Sequence, residues 1–352
     1  MKERGVDALL IGATSDMSYV IGRRLPVTER FNAIVITQTG QPYLIVPHLQ
    51  LPLVSSLSDE IAILPWKETV DPIRMVANLV ERLDLRSIAV DGLMRSGFLL
   101  RLQACLGQSV SFSNGSDLTA GIRLFKDADE MSILSDAAKR FDEIWQEFWS
   151  NGRLLGVSER NVMEQIRNLL YDSGFETMDW CDVGSGPNGA SPLHHHSERI
   201  IQAGDPVVID FAGTINGYFM DTCRTPVAGA PDPEFLDIYA IVQGAHDAAN
   251  AIAQPGVPAK DVDRAAREVV EKAGYGDKFI HRLGHGLGLD AHEHPYIISD
   301  NTSPLQPGMV YSNEPGIYIT GKWGVRIEDI IVMTERGARS LNNTTRDIVI
   351  MN

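Results

Sequence analysis

An α+β fold in two domains is what the sequence predicts, on three observations. The chain has 352 residues, 44% hydrophobic and 22% charged, an ordinary globular composition with length enough for two cores. Helix-period stretches and short β-branched runs mix without the steady strand–helix rhythm of a doubly wound sheet. No GxGxxG or GxxxxGK[ST] follows a strand-like run, so a nucleotide-binding sheet has no support.

Along the chain, the start, MKERGVDALLIGATSD, holds only a short apolar patch before Ser15 and Asp16, too short for a signal peptide core or a membrane span. Asn32 to Pro47 reads as a hairpin, two β-branched runs around Thr-Gly-Gln-Pro. Asp71-Pro72 opens a helix with Ile73, Val76, Val80 and Leu83 on one face, and Ser87 to Asp91 is the next strand. These make a small α/β domain, 1–122. Asp127 and Glu130 stand at capping-box spacing ahead of Met131, Leu134, Phe141, Trp145 and Phe148, a helix running to about Trp149 that opens the second domain, 123–352. Further helices are expected from Ser158 to Gly174, from Asp232-Pro233 to about Ala253, and from Ala259 to Ala273 with Gly274 after it. Strands are expected at Val207 to Phe211, Met309 to Glu314 and Val325 to Met333.

The net charge is −15 with no run of basic residues, which argues against nucleic acid or an anionic membrane as partner. Cys105, Cys181 and Cys223 are odd in number and far apart, no disulfide framework, and they fit the reducing cytoplasm.

The chemistry-bearing residues pose one question repeatedly. Asp210 ends the apolar run VVID, although an ionised carboxylate taken out of water costs several kcal/mol or more (~) unless something meets it. Asp221 follows eleven residues later, Glu314 ends a second apolar run and Glu328 interrupts a third. Seven of the nine histidines fall in two stretches, His194-His195-His196 and HRLGHGLGLDAHEH from His281 to His294. His281 and His285 are four apart, but Gly284, Gly286 and Gly288 oppose a helix there, and an extended chain puts both on one face. Period-two alternation places Arg326 and Glu328 on one face and Asp329 on the other. Each acid taken singly is equally a salt-bridged carboxylate at a strand end. If Asp210, Asp221, Glu314 and Glu328 converge with His285, about two divalent cations would be needed to hold four negative charges together. Carboxylates with one imidazole and no thiolate favour manganese, iron, cobalt or zinc, and such paired ions suit hydrolysis.

These residues, in this order, resemble the pita-bread metallopeptidases: aminopeptidase P, the prolidases and, more distantly, methionine aminopeptidase. The motifs of the proline-specific branch stand here as Asp210, Gly217-Tyr218 and Asp221, then Gly284-His285-Gly286 with His292-Glu293, then Glu314-Pro315-Gly316, then Arg326-Ile327-Glu328-Asp329. By that resemblance Asp210 chelates one ion, Asp221 and Glu328 bridge both, and His285 and Glu314 complete the second. Glu314 would also handle the proton of the attacking water, His281 and His292 would line the substrate site, and Arg326 would pair with carboxylate beside the bridging glutamate. The N-terminal part resembles the smaller domain of aminopeptidase P and creatinase, which implies dimer contacts. The resemblance therefore implies a creatinase-type α/β domain followed by a pita-bread catalytic domain. It implies a homodimer with two divalent ions, manganese first and cobalt, zinc or iron as alternatives, acting on peptides with proline at the second position.

Two departures stand out. Leu193 occupies the place of a family histidine, with His194 next to it, and the expectation is that His194 serves through a local bulge. DTCRT carries Cys223 where most relatives have threonine. Two other functions remain open at this stage: hydrolysis of a small non-peptide amide or cyclic osmolyte, and a catalytically dead interaction module. Bound transition metal separates the last from the rest.

Overall fold

The computed structural model describes all residues, Met1–Asn352, in two units, Met1–Arg123 and Leu124–Asn352. In the first, β1 (Ala8–Gly12), β2 (Ala33–Thr37), β3 (Pro42–Pro47), β4 (Ala62–Trp66), β5 (Ser87–Val90) and β6 (Ser111–Asn114) form one sheet in the order β4-β3-β2-β1-β5-β6. Its helices are α1 (Ser15–Ile21), α2 (Leu51–Val54), α3 (Pro72–Arg82), α4 (Ser96–Leu106) and α5 (Ser116–Arg123). The short apolar patch of the N-terminal text is the central strand β1. Ala8 and Leu10 face one core with Ile73, Val76 and Val80 of α3, while Leu9 and Ile11 face another with Met17 and Ile21 of α1. Burial on both faces explains why that strand reads as an unbroken apolar run. Asp71 caps α3, its Oδ1 accepting from the Ile73 N–H at 3.0 Å.

The second unit opens with α6 (Ala128–Asn151) and α7 (Glu159–Asp172). The expected capping box is present on α6: Asp127 Oδ1 accepts from the Asp129 and Glu130 amides at 2.9 Å, and Glu130 Oε2 accepts from the Asp127 amide at 2.8 Å. There follow β7 (Thr177–Ser185), β8 (Val207–Ile215), β9 (Tyr218–Arg224), β10 (Val227–Ala228), α8 (Pro233–Ile252) and α9 (Ala259–Lys272). The rest is strand: β11 (Gly284–Gly286), β12 (Glu293–Ile297), β13 (Val310–Asn313), β14 (Gly316–Ile319), β15 (Trp323–Arg326), β16 (Asp329–Thr334), β17 (Gly337–Ser340) and β18 (Ile350–Met351). They assemble as antiparallel β7-β8-β9, as a five-stranded sheet β12-β11-β13-β16-β17, and as the pairs β14-β15 and β10-β18.

Two expectations change here. The strand from Val207 runs on to Ile215, because it forms a hairpin with β9 through Asn216 (φ 50°) and Gly217 (φ 78°). Asn-Gly is the pair that a two-residue turn with both central φ angles positive prefers. The run Val325 to Met333 is two strands, broken at Ile327-Glu328, because the chain leaves its partner β14 and joins β13. At the break the Glu328 N–H donates to the Cys223 carbonyl at 3.0 Å.

The helix α6 braces the hairpin that matters. Leu134, Phe141, Trp145 and Phe148 are fully buried; Phe141 stacks on Phe211 at 4.7 Å and Trp145 Nε1–H donates to Thr222 Oγ1 at 2.9 Å. Truncating one of these aromatics costs about 3–5 kcal/mol. Because side chains alternate, Phe211 and Thr222 facing α6 turn Asp210 and Asp221 to the opposite face of the hairpin.

Candidate active site

The hairpin register explains the eleven-residue spacing of the two aspartates. Asp210 pairs with Cys223 and Ala212 with Asp221, so the two carboxylates are diagonal neighbours on one face. Glu328 joins them from the β15–β16 break, and Glu314 from the end of β13, where its amide donates to the Leu283 carbonyl at 2.9 Å. His285 comes from β11. Its flanking glycines are required by packing against neighbouring strands, not by an incoming ligand. A Cβ on Gly284 would run into the Ser312 carbonyl, and one on Gly286 into the His294 carbonyl.

Four of the five, Asp210, Asp221, His285 and Glu314, line a cleft of about 470 Å³, together with Trp180, Asp182, Leu193, Ile280, His281, Arg282, His292 and Arg326. Ligand-capable atoms of Asp221, His285 and Glu328 all lie within 4.8 Å of one another. His285 Nε2 is 3.2 Å from Glu314 Oε1 and 3.9 Å from Asp221 Oδ2. Its Nδ1 bonds the Gly286 carbonyl at 3.1 Å. A carbonyl only accepts, so in the neutral ring Nδ1 carries the hydrogen and Nε2 faces the acids as a bare donor atom for a metal.

Asp221 Oδ1 and both oxygens of Glu328 are buried with no hydrogen-bond partner in the chain. Burial, then the charges of Asp210 and Glu314, push Asp221 well above the usual carboxylate range; burial, then Asp221 and Glu314, do the same to Glu328. Glu314 goes the other way. Burial pushes it up, but a proton on His285 Nε2, which in the metal-free chain makes the 3.2 Å contact a charge-assisted hydrogen bond, together with the nearby charge of Arg326 outweighs that and brings it to about 2; a metal at Nε2 would stand in that proton's place. Orphaned buried oxygens around an oriented imidazole are what a divalent cation fits: oxygen and nitrogen donors, no thiolate, and repulsion that a cation would reverse.

Asp210 is held differently. Its Oδ1 accepts from Trp180 Nε1 at 2.7 Å, and its Oδ2 is paired with Arg326 Nη2. Each oxygen keeps a lone pair that could still turn to a metal. Arg326, two residues before the glutamate and expected to pair with a carboxylate, is the partner of this aspartate, and it also donates from Nη1 to Tyr318 Oη at 2.8 Å.

Tyr318, which the sequence reading passed over, organises the neighbouring histidine. His281 Nδ1–H donates to the Arg282 carbonyl at 2.7 Å, and its Nε2 lies 3.0 Å from Tyr318 Oη. Burial first of all lowers the His281 pKa. The neutral ring with hydrogen on Nδ1 then accepts the Tyr318 O–H, which itself accepts from Arg326. Both nitrogens of His281 are thus engaged. His292 differs: its ring stands edge-on to that of His285 at 4.1 Å, the structure shows neither nitrogen in a hydrogen bond, and burial, then His285 and Arg282, lower its pKa to about 4.

The structure does not bring His194 into the cleft. Leu193 lines it, 80% exposed, and His194 turns away, its Nε2 3.0 Å from Glu159 Oε2. The reason is Glu159, a fully buried carboxylate at the start of α7 that no lysine or arginine pairs. It collects donors from Ser185 N–H and Oγ at 2.7 Å and from Ser197 N–H at 2.9 Å and Oγ at 2.6 Å. His195 sits at the surface on Asp182, and His196 reaches the Cys181 carbonyl. Cys223 is wholly buried, and its backbone carbonyl does the connecting: it accepts from the Glu328 amide and from Arg224 Nη1 at 3.0 Å. Arg224, another residue missed in the sequence, also reaches the Glu328 carbonyl and, at 2.7 Å, Asp329 Oδ1, so it ties β9 to the segment carrying Glu328.

Comparison with known proteins gives the same frame. Residues 132–335 match Metallopeptidase family M24, and residues 1–125 match the Creatinase/Prolidase N-terminal domain. A protein named probable dipeptidase PepE from Mycobacterium tuberculosis is 36% identical, over 99% of this chain and 93% of its own length. An Xaa-Pro dipeptidase of Lactobacillus helveticus is 31% identical, over 100% of this chain and 96% of its own. The crystal structure of a prolidase from Thermococcus sibiricus superposes with a TM-score of 0.94 at 32% identity, covering 99% of this chain and 96% of that one.

Proposed function

The chain belongs to metallopeptidase family M24, and from that premise we propose that it is a metal-dependent dipeptidase cleaving the bond between an N-terminal residue and proline. One observation carries the reading: Asp221 and Glu328, with buried, unpartnered oxygens, cluster with His285, and Asp221 and His285 line a substrate-sized cleft. An Xaa-Pro bond is a tertiary amide without an N–H, which calls for a dedicated site.

Asp210, Asp221, His285, Glu314 and Glu328 would hold two divalent ions, manganese first, with cobalt, zinc or iron as alternatives that the same donor set suits. When bound, such ions polarise a carbonyl and make water a nucleophile near neutral pH. The chain supplies the rest. Glu314, ionised, takes the proton of the attacking water and passes it to the leaving proline nitrogen. His292, neutral and open to the cleft, donates an N–H to the oxygen that becomes negative. His281 holds Tyr318, Tyr318 receives Arg326, and Arg326 fixes Asp210. The acids also offer a counter-charge to the substrate's free amine.

Residues 1–122 are proposed as the accessory domain and 123–352 as the catalytic one. The accessory domain would make the contacts of a homodimer, which light scattering tests. No helix is long and apolar enough to cross a membrane, and the three free thiols suit a reducing cytoplasm. The decisive assay is manganese-loaded protein on an Xaa-Pro dipeptide, an Xaa-Pro tripeptide and a cyclic osmolyte, with Asp221→Asn as control. Cleavage of the dipeptide by wild type alone supports the reading; turnover of the osmolyte alone ends it.

A further inference from the structure

One carboxylate of the cleft has no part in the mechanism above. Asp182 lies opposite Asp210 in the β7–β8 register. Alternation along β7 turns Trp180 and Asp182 to the cleft and buries Cys181 and Val183 in the core. Asp182, Asp210 and Asp221 therefore step across the sheet β7-β8-β9, and Asp182, on its edge strand, stands one strand spacing of about 4.8 Å outside Asp210.

The two neighbours are met differently. Asp210 has Trp180 on one oxygen and Arg326 on the other. Asp182 Oδ1 accepts from His195 Nδ1–H at 2.8 Å, but that imidazole is 85% exposed, and no donor of the chain reaches Oδ2, although the Asp182 side chain is only 15% exposed. Burial, first of all, raises the Asp182 pKa, and the bond from His195 offsets only part of that. A half-buried anion that the chain leaves short of positive charge favours a ligand that brings one. The α-amine of an Xaa-Pro substrate already meets the acids at the centre. A carboxylate one strand further out is in reach of the N-terminal residue's side chain, and lysine and arginine carry a cation that far from the α-carbon. Trp180 beside it offers an apolar flank for their methylene stems.

We propose that Asp182 is a specificity-determining residue: its carboxylate receives the ammonium or guanidinium of a basic N-terminal residue, so that Lys-Pro and Arg-Pro are preferred over dipeptides whose first side chain is neutral. This rests on the Xaa-Pro reading above. A neutral first side chain gains nothing from the Asp182 charge, and an acidic one is repelled by it.

The test compares Arg-Pro with citrulline-Pro, which keeps the length and planarity of the side chain and removes its charge, in manganese-loaded wild type, Asp182→Asn and Asp182→Glu. A charge-assisted contact predicts a wild-type kcat/KM ratio of arginine to citrulline substrate of about 10. In Asp182→Asn the ratio falls to near one, through a raised KM for Arg-Pro, and Asp182→Glu keeps part of it. Thermal melting without ligand and calorimetric manganese affinity check the fold and the ion site of each variant. An Asp182→Asn enzyme that keeps the wild-type ratio overturns the proposal. So does one that loses both substrates equally, which would set the carboxylate against the α-amine they share. A readout independent of turnover keeps the two claims apart: protection against thermal unfolding by Arg-Pro and citrulline-Pro analogues with CH2 in place of the scissile carbonyl. Stronger protection by the arginine analogue, lost in Asp182→Asn, upholds the basic subsite even if wild type cleaves neither peptide, in which case the dipeptidase reading falls alone. Equal protection by the two analogues sinks the subsite even if both peptides are cleaved.

Discussion

Glu159 and Glu328 are equally buried, yet the chain treats them in opposite ways. Around Glu159 the loop after β7 folds back to deliver serine hydroxyls, backbone amides, Asn188 and His194, so that burial, which pushes the acid up, is outweighed by hydrogen bonds and its pKa falls to about 2. Around Glu328 and Asp221 no donor reaches three of the four oxygens, and burial and mutual repulsion push both acids up. Burial alone therefore distinguishes nothing. A carboxylate that the chain satisfies is architecture, and one that the chain leaves unsatisfied beside an oriented imidazole is prepared for a cation from outside.

The sharpest way to break this contrast is to neutralise each acid in turn. Asp221→Asn and Glu328→Gln should reduce peptidase activity by more than the roughly 10–100-fold that outer partners of a metal ligand are worth. The same variants should stabilise the metal-free protein by about 1–3 kcal/mol, since they remove charges that nothing in the chain meets. Added manganese, which should raise the melting temperature of wild type, should no longer do so. A metal-free Glu328→Gln protein less stable than wild type would mean that the chain satisfies this acid after all.

Glu159→Gln should behave with the opposite sign. Losing a fully partnered charge should cost about 1.5–3 kcal/mol of folding stability, read by urea unfolding at pH 7. Calorimetric manganese affinity of the folded fraction should stay within a few-fold of wild type, because Glu159 touches none of the five acid and imidazole groups. A large loss of affinity would join the two regions that the structure keeps apart.

A smaller effect separates positioning from contact. Tyr318→Phe removes one hydroxyl and leaves the ring, so Arg326 and His281 each lose a partner while Asp210 keeps its ion pair. Manganese affinity should fall by about 10-fold, the low end for an outer partner, and KM for Leu-Pro should change little. A KM that rises while affinity holds would place Tyr318 against the substrate.

How much of this was legible in the sequence depends on whether the signal was local. Helix starts were: Asp71, Asp127 and Ser158 each announce a cap within four residues. The five acid and imidazole residues were legible from local anomalies, Asp210, Glu314 and Glu328 as acids in apolar runs, Asp221 by its place after Asp210 and His285 by its glycines and clustered histidines, even though their meeting is not local. What was missed lies in pairings between distant segments. The break at Ile327-Glu328 arises from a change of partner strand, invisible in a run that stays β-branched throughout. Asn216-Gly217 was a readable turn signal passed over. His194 went astray because adjacency in sequence suggested substitution for Leu193, whereas its position is set by Glu159, thirty-five residues earlier. Tyr318, Arg224 and Trp180 carry no sequence anomaly at all; their roles exist only once the sheets have met.

The smallest effect is also the one that tests the sign of the contrast. Glu159 has a folded pKa depressed from 4.5 to about 2, so its contribution to stability is fully present above about 4.5 and is lost as pH falls through about 2. The stability difference between wild type and Glu159→Gln should therefore be flat from pH 7 down to about pH 4.5 and shrink only below it. Because most domains unfold in acid before reaching pH 2, only part of the loss will be seen, a narrowing of several tenths of a kcal/mol by about pH 4. Measured by urea unfolding across that range, a difference that already narrows between pH 7 and 6 would show that the serines and amides around Glu159 do not hold its charge down to the carboxylate range, and the contrast with Glu328 would fail.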